Sequence, residues 1–286
     1  MTSSLEISPF RFYLKKRPRR FVMTLSRFIQ LWSKPQVNCI RVITYHRFGD
    51  TALGPVCVKP KEFDRQLAWL KNNTCILNPQ QFVQIMSGEQ PLPAASVLIT
   101  IDDGHQSVID FAIPFLAKHN ISAILFVCPG LIESKASGKQ ALEPILASWD
   151  DLKRAKTLGH EIAPHGMSHQ SLGRMPLSNS VAEIKAAKAL LKTRLGIQTP
   201  FFSFPFGTLA DYSTALAREL ENEGFRFNFT STHGICVPDM PTTLLPRLKI
   251  EGGENLKAFG HIVQGYIDLW RFIDRFFFPF QQRGKM

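Results

Sequence analysis

Short apolar segments alternate with amphipathic segments from about residue 39 towards the end of the chain. The apolar segments are rich in Val, Ile and Phe, which is typical of buried strands. The amphipathic segments place apolar residues three or four positions apart, which predicts helices that pack on one face. A regular alternation of strands and helices predicts a parallel sheet, either open or closed into a barrel.

The individual elements can be assigned approximate bounds. The predicted strands cover 39–45, 97–102, 121–128, 160–164, 201–204 and 225–230. The predicted helices cover 61–72, 108–119, 149–158, 178–195 and 210–223, and an aromatic helix is expected over 256–280. Ser148 and either Ser178 or Asn179 are the expected N-caps, and Gly159 and Gly196 the expected stops.

Acidic and histidine residues directly follow two of these strands. Asp102 and Asp103 end the strand over 97–102, and His165 and His169 follow the strand over 160–164. Because the carboxyl ends of parallel strands share one edge of a sheet, these side chains should meet. One Asp and two His can bind a metal ion, and the second Asp can act as a base, although spacing alone does not say which Asp is which.

Three protein ligands leave one coordination position for water, which is the arrangement of hydrolytic zinc. We therefore expect a divalent metal, Zn²⁺ first, with Co²⁺, Ni²⁺ or Mn²⁺ as alternatives. His46 follows the first strand at the same edge and is a further candidate for the site; the alternative is a hydrogen-bonded core histidine.

The net charge of +11 is concentrated at the N-terminus, where residues 1–34 hold eight Lys or Arg and a single Glu. Aromatic residues lie between these cations, which favours an anionic membrane surface over nucleic acid as a partner. The alternative is an arm with solvated charges. We treat residues 1–36 as a basic aromatic arm and 37–286 as one domain that ends in an aromatic helix.

Localisation is inferred from apolar stretches and cysteines. No secretory signal is recognised, and no apolar stretch is long enough to span a membrane. The five cysteines are scattered without paired spacing, which is typical of a reducing compartment. We expect a cytoplasmic protein, with peripheral membrane contact as an option, and make no prediction of oligomeric state.

Several motifs resemble those of the polysaccharide deacetylases, carbohydrate esterase family four. Thr100–Gly104 is similar to the family's T-F-D-D-G motif, and His165–His169 is similar to its H-(S/T)-x-x-H motif. Phe202–Gly207 resembles a third motif that ends in Y-P-x-G in one branch of the family. The likeness covers roughly residues 39–250, with the motifs in the family's order.

The resemblance implies a distorted, incomplete (β/α) barrel and metal-dependent removal of acetyl groups from an N-acetylated or O-acetylated sugar, polysaccharide or lipid-linked saccharide. Transferred position by position, Asp102 is the general base and Asp103 a metal ligand. The remaining implied residues are the metal ligands His165 and His169 and the substrate or oxyanion turn Pro205, Phe206 and Gly207.

The sequence departs from the family pattern at three places, and the one at Gly166 is expected to be tolerated. Ser203 stands near the place of an Arg that pairs with the base, and Gly166 replaces a Ser or Thr. The family's Leu-x-His motif, which supplies the general acid, has no clear match. We expect His46 to take that role, with His105 and His261 as further candidates, and Arg247 as a residue that could orient a carboxylate.

These departures keep two alternatives open. One is a catalytically degenerate protein that binds metal or carbohydrate on the same fold. The other is an amidase that uses the same site on a non-sugar substrate. The presence of Asp102, Asp103, His165 and His169 together favours catalysis over the degenerate protein, whereas the sequence does not separate the amidase from the sugar deacetylase.

Overall fold

The computed structural model describes residues 36–50, 56–137 and 145–276. Its strands are β1 Ile40–Tyr45, β2 Arg47–Phe48, β3 Cys57–Val58, β4 Cys75–Leu77, β5 Ser96–Ile101, β6 Ile124–Val127, β7 Glu161–Pro164, β8 Phe201–Ser203, β9 Phe227–Phe229 and β10 Leu248–Lys249. Its α-helices are α1 Pro60–Asn73, α2 Pro79–Met86, α3 Ile113–His119, α4 Pro129–Ala136, α5 Trp149–Thr157, α6 Leu177–Leu195, α7 Thr214–Asn222, α8 Leu256–Val263 and α9 Trp270–Phe276. A π-helical turn, Val108–Ala112, precedes α3, and a 3₁₀ turn, Leu172–Arg174, precedes α6.

The main sheet is parallel and follows the order β10-β1-β5-β6-β7, with β4 paired to the first half of β5. β1 and β5 are aligned along their whole length, from Ile40 opposite Ser96 to Tyr45 opposite Ile101. β8 and β9 form a separate parallel pair. Strand pairing in the described part of the chain does not close the ring, so the fold is the distorted, incomplete barrel that the resemblance implied.

The core has an apolar layer on each side of the main sheet. Phenylalanine rings from α2, β6 and β9 fill the interior, with the ring of Phe229 5.8 Å from that of Phe82 and 5.6 Å from that of Phe126. On the outer side, Leu67 of α1 and Leu116 of α3 belong to a second buried cluster. This packing fixes the positions of the strands and therefore of the residues that follow their carboxyl ends.

The predicted helix ends are mostly confirmed. Ser148 caps α5 with a reciprocal hydrogen bond to Asp151, and Gly196 ends α6 in the left-handed conformation. The N-cap expected at Ser178 or Asn179 is wrong, because α6 begins at Leu177 and its N-cap is Pro176.

The C-terminal segment and the predicted arm differ from expectation in other ways. The single helix expected over 256–280 is two short helices, separated by a turn in which Gly265 has a φ of 93°. Residues 1–35 of the predicted arm lie outside the described residues. Across the described ranges, no helix combines the length and the apolar character that a membrane crossing requires.

Candidate metal centre and catalytic cavity

A cavity of about 340 Å³ opens at the carboxyl ends of the parallel strands. Its wall includes residues that follow β1, β5, β7 and β8, as expected for a parallel sheet. The lining consists of His46, Val56, Asp102, Asp103, His165, His169, Phe206, Thr208, Leu209, Ser231, Thr232, Lys249 and Asp274. Four segments far apart in sequence therefore converge on one cavity.

Three potential metal ligands lie together in this cavity. One oxygen of Asp103 is 3.3 Å from His169 Nε2 and 3.7 Å from His165 Nε2, and the ligand atoms of all three residues lie within 4.8 Å of one another. Two atoms bound about 2.0–2.1 Å from a tetrahedral zinc ion are separated by about 3.3–3.4 Å. The spacing of Asp103, His165 and His169 therefore fits a metal ion held by one carboxylate and two imidazoles.

His165 is fixed in the form that a metal ligand requires. Its Nδ1 is 2.8 Å from the carbonyl oxygen of Ser203 and donates to it, which leaves Nε2 with a lone pair towards the cavity. Burial lowers the pKa of His165, and the nearby Asp102 carboxylate offsets this only in part. The ring is therefore neutral at neutral pH and able to bind a cation.

Several residues at this edge have backbone conformations that L-residues rarely adopt. Asp103 has a φ of 74° and His169 a φ of 58°, and such strain is concentrated at functional positions. Gly166 has a φ of 68°, and a Cβ atom there would lie 3.1 Å from Pro205 Cγ. This contact and this φ explain why glycine stands where the family pattern has Ser or Thr.

Asp102 is buried and forms a bidentate ion pair with Arg247. The Nη1 and Nη2 atoms of Arg247 donate to the two carboxylate oxygens at 2.8 and 2.7 Å. Burial raises the pKa of Asp102, but the Arg247 guanidinium, together with His165 and His46, outweighs it, so the pKa lies below its ordinary value. Asp102 is therefore ionised at neutral pH, as a proton acceptor must be.

Arg247 itself is completely buried and hydrogen-bonded on every side. Its Nε donates to the Thr230 carbonyl at 2.8 Å, and Nη2 donates to Ser203 Oγ at 2.9 Å. Nη1 also reaches the hydroxyls of Thr44 and Thr100 at 3.3 and 3.2 Å. An arginine thus pairs with the candidate base, although it comes from the residue before β10 and not from the position of Ser203.

The candidate general acid His46 lies in the cavity and is half-buried. Burial lowers its pKa to about 4, while the carboxylates of Asp102 and Asp103 act in the opposite direction. Its Nδ1 has no hydrogen-bond partner among the described residues. His46 is therefore a neutral imidazole beside the potential metal ligands.

The structure does not bring the other two candidate histidines to the cavity. His105 Nδ1 accepts from the Ser107 N–H at 3.1 Å, on the loop after β5. His261 lies on α8, where its ring centroid is 5.1 Å from that of Tyr266. Neither is among the described residues that line the cavity.

Pro205, Phe206 and Gly207 form a tight turn at the cavity mouth. The Gly207 N–H donates to the Pro205 carbonyl at 2.7 Å, and Phe206 has a φ of 61°. The Phe206 ring packs edge-on against His169 with centroids 4.8 Å apart and is half exposed. The Phe206 N–H makes no hydrogen bond within the described part of the chain.

Sequence reasoning missed several residues that support the site. Thr44 and Thr100 face Arg247, and Lys249 and Asp274 line the cavity. The alternation of side chains along β1 and β5 could have indicated the two threonines, since they are polar residues next to isoleucines in mostly apolar strands. The two-residue strand β10 has no comparable pattern, so nothing local marked Lys249.

Comparison with known proteins agrees with the fold and the motifs. Residues 89–225 match the family described as polysaccharide deacetylase. A Staphylococcus epidermidis poly-β-1,6-N-acetyl-D-glucosamine N-deacetylase is 24% identical over 243 residues, which is 76% of this chain and 81% of the relative. The Bacillus subtilis protein YheN, named as a polysaccharide deacetylase, is 24% identical over 158 residues, which is 54% of this chain but only half of YheN.

Among solved structures, the Streptococcus pyogenes deacetylase PplD in complex with acetate has a similar fold. The TM-score is 0.70 at 21% identity, and the match covers 80% of this chain and 99% of PplD. The predicted fold class is thereby confirmed, and the prediction of a sugar deacetylase is confirmed at the level of the family. The chain is thus similar to polysaccharide deacetylases in sequence over residues 89–225 and in fold over most of its length.

Proposed function

We propose that the protein removes acetyl groups from N-acetylglucosamine units of a β-1,6-linked polymer. The observation that carries this proposal is the joint presence, in one cavity, of an ionised Asp102 and the Asp103, His165 and His169 cluster. The linkage and the sugar are taken from the Staphylococcus epidermidis relative, which this chain matches over most of both lengths. The exposed side chains of Phe206 and Leu209 at the cavity mouth provide apolar surface for a sugar ring.

Asp103, His165 and His169 would hold one divalent metal ion, and zinc is the metal that we propose for this donor set. When bound, such a metal ion lowers the pKa of a water molecule to about 7 and polarises a carbonyl oxygen. The three side chains supply one negative charge and two neutral rings, which leaves a net positive charge for the substrate carbonyl.

Asp102 accepts the proton of the attacking water in this scheme. Arg247 keeps the Asp102 carboxylate ionised and fixes its plane through two parallel hydrogen bonds. Because both side chains are buried and fully hydrogen-bonded, the carboxylate needs no reorganisation when the water approaches.

Two further groups act on the tetrahedral intermediate. The Phe206 N–H, which has no partner in the described part of the chain, donates to the developing oxyanion. His46 donates a proton to the leaving amine. Its pKa of about 4 makes it neutral at the start, so it takes up a proton from solvent as negative charge develops on the intermediate and passes this proton to the amine. Asp102 then releases the proton of the attacking water to solvent, which leaves acetate, the free amine and the starting form of the site.

The alternative of a degenerate binding protein loses its main support. It depended partly on the missing arginine at Ser203, and Arg247 makes the ion pair from the position just before β10. His46 likewise offers a proton donor in place of the absent Leu-x-His motif.

The test is acetate release by zinc-loaded protein from β-1,6-linked N-acetylglucosamine oligomers. Oligomers with β-1,4 linkages and a lipid-linked N-acetyl sugar serve as competing substrates, and Asp102→Asn serves as the blank. Preferred release from the β-1,6 oligomers, abolished in Asp102→Asn, is the expected result. Faster release from another substrate would move the proposal to that sugar, and bound metal without any release would contradict it.

We also propose a cytoplasmic location with peripheral membrane contact through the basic arm. The support is the charge of residues 1–34 and the five described cysteines, all of which are free thiols. Cell fractionation of the full chain, compared with a chain that lacks residues 1–34, tests it. Recovery of the full chain outside the cytoplasmic and inner-membrane fractions would contradict the proposal.

A further inference from the structure

The loop between His165 and His169 is held by a carboxylate that the scheme above does not use. Glu183 lies on α6, and its Oε2 accepts from the N–H groups of Met167 at 3.2 Å and Ser168 at 3.0 Å. The Ser168 hydroxyl also donates to this carboxylate, with Oγ 2.9 Å from both oxygens. All three donors lie between the two histidines, so one side chain fixes the backbone that sets their separation.

The carbonyl side of the same loop is bound by the turn that follows β6. The Gly130 N–H donates to the Met167 carbonyl at 3.0 Å, and Cys128 Sγ donates to the His165 carbonyl at 3.1 Å. A Cβ atom on Gly130 would lie only 2.7 Å from the Met167 carbonyl oxygen. The loop is therefore held on two sides. The turn after β6 donates hydrogen bonds to its carbonyl groups, and Glu183 accepts hydrogen bonds from its N–H groups.

We propose that Glu183 is a positioning residue for the metal ligands His165 and His169. His169 has a φ of 58° and a side chain that is 28% exposed, so its position towards Asp103 depends on its loop and on the edge-on contact with Phe206. Without an acceptor at Glu183, the Met167 and Ser168 N–H groups would turn towards water and relax this conformation. The inference depends on the proposed metal site but not on which sugar is the substrate.

The contacts indicate that Glu183 acts as a hydrogen-bond acceptor and that its charge is secondary. Glutamine at this position can turn its oxygen towards the two N–H groups and its amide towards the Ser168 hydroxyl oxygen. Alanine leaves all three donors without a protein partner. Glu183→Gln should therefore preserve the loop, and Glu183→Ala should not.

The experiment measures the zinc affinity of the full chain by competition with a chelator of known affinity. We expect Glu183→Ala to bind zinc about 10–100-fold more weakly, as is typical when a residue that orients metal ligands is removed. Glu183→Gln should stay close to the parent. The absorption spectrum of the Co²⁺-loaded protein should change in Glu183→Ala and not in Glu183→Gln.

Ser180→Ala is the matched control on the same helix. Ser180 is buried and donates to the Leu172 carbonyl at 2.8 Å, but within the described residues it makes no hydrogen bond to Met167 or Ser168. Its loss should lower the melting temperature and leave zinc affinity unchanged. If Glu183→Ala does not fold, Glu183→Asp, whose side chain is one methylene shorter, replaces it and should also weaken zinc binding.

The inference is overturned if Glu183→Ala binds zinc as tightly as the parent, or if Ser180→Ala weakens binding by the same factor. It is also overturned if the parent binds no metal. A parent that binds zinc but deacetylates none of the sugars contradicts only the proposed substrate, because the affinity comparison still decides the role of Glu183.

Discussion

The metal-ligand side of the cavity and the general-base side are built in different ways. On the metal-ligand side, His165 and His169 are four residues apart, and the side chains of Asp103 and His169 are 21% and 28% exposed. On the base side, Asp102 and Arg247 are 145 residues apart and have almost no exposed surface. The first side depends on one loop and one strand end, whereas the second depends on the register of β1, β5 and β10.

This difference determines how a substitution on each side affects folding stability and metal binding. A partly exposed ligand can be removed with a local effect, because water replaces the lost contacts. A buried ion pair adds little net stability, but the removal of one partner leaves an uncompensated charge in the core. The base side therefore couples activity to folding, and the metal-ligand side couples activity to metal affinity.

The strongest test of the comparison replaces the two neighbouring carboxylates, Asp102 and Asp103, one at a time. Asp102→Asn should lower kcat by about 10²–10⁴-fold, because it removes the proton acceptor, and should retain bound metal. Asp103→Ala should lose the metal, because it removes one of three ligands. Steady-state kinetics and the metal content of purified protein check both outcomes. Full activity in Asp102→Asn would show that the base is misassigned.

The next largest effect is expected from Arg247. Arg247→Met should lower the free energy of unfolding by about 3–5 kcal/mol, because Asp102 then remains buried without a counter-ion. Urea denaturation measures this change. Arg194→Met, which breaks an exposed ion pair with Glu133, should have little effect.

A double variant sharpens this prediction. Addition of Asp102→Asn to Arg247→Met removes the stranded charge and should recover part of the lost stability. A double variant less stable than Arg247→Met alone would argue against this account.

The pH dependence of stability should reflect histidines whose pKa is lowered in the folded protein, His46 among them. The pKa of His46 is lowered to about 4 by burial, against about 6.5 in the unfolded chain, so the unfolded state binds more protons between these values. The contribution of His46 to stability is present above about pH 6.5 and is lost as the pH falls towards 4. Two and a half pKa units correspond to about 3 kcal/mol.

Urea denaturation of the metal-free protein at pH 4.5 and pH 7 measures this loss. His46→Asn should be less sensitive to acid than the parent. His160→Asn provides a comparison away from the cavity, because burial also lowers the pKa of His160 to about 4. An unchanged pH dependence in His46→Asn would refute the assignment to His46.

The smallest effect is expected at Gly166. Alanine there adopts the same left-handed backbone at a cost of about 1–2 kcal/mol, and its Cβ also crowds Pro205 Cγ at 3.1 Å. Gly196→Ala is a matched control, since Gly196 has a φ of 62° but a Cβ atom there would meet none of the described atoms within 4 Å. Thermal denaturation should show a larger decrease in melting temperature for Gly166→Ala than for Gly196→Ala. Equal decreases would mean that Pro205 can move away from the added Cβ atom without loss of stability.

The sequence was sufficient to predict the parallel α/β fold and the cavity edge, because both follow from local patterns. Apolar runs indicated β1, β5, β6 and β7, and polar residues immediately after them indicated the edge. The short strand β10 and the division of the C-terminal helix were not predicted, since two residues carry no periodicity and the turn at Gly265 interrupts an otherwise apolar stretch.

The candidate site was predicted unevenly for the same reason. Asp103, His165 and His169 were expected to meet, and the structure places them together. Arg247 was recognised only as a residue that could orient a carboxylate, because its contact with Asp102 depends on how β10 pairs with β1. His105 and His261 were candidates only because histidine is a chemically suitable residue, and no pattern in the sequence could show that they lie away from the cavity.

The position of Arg247 along the chain affects the order in which the site can form during synthesis. Residues 89–225, the part that matches the family, contain Asp102, Asp103, His165 and His169 but neither His46 nor Arg247. A ribosome that has completed this part has made the most recognisable motifs, yet the carboxylate at the end of β5 still lacks its cation. The nascent enzyme can bury Asp102 at low cost only after almost the whole barrel has emerged.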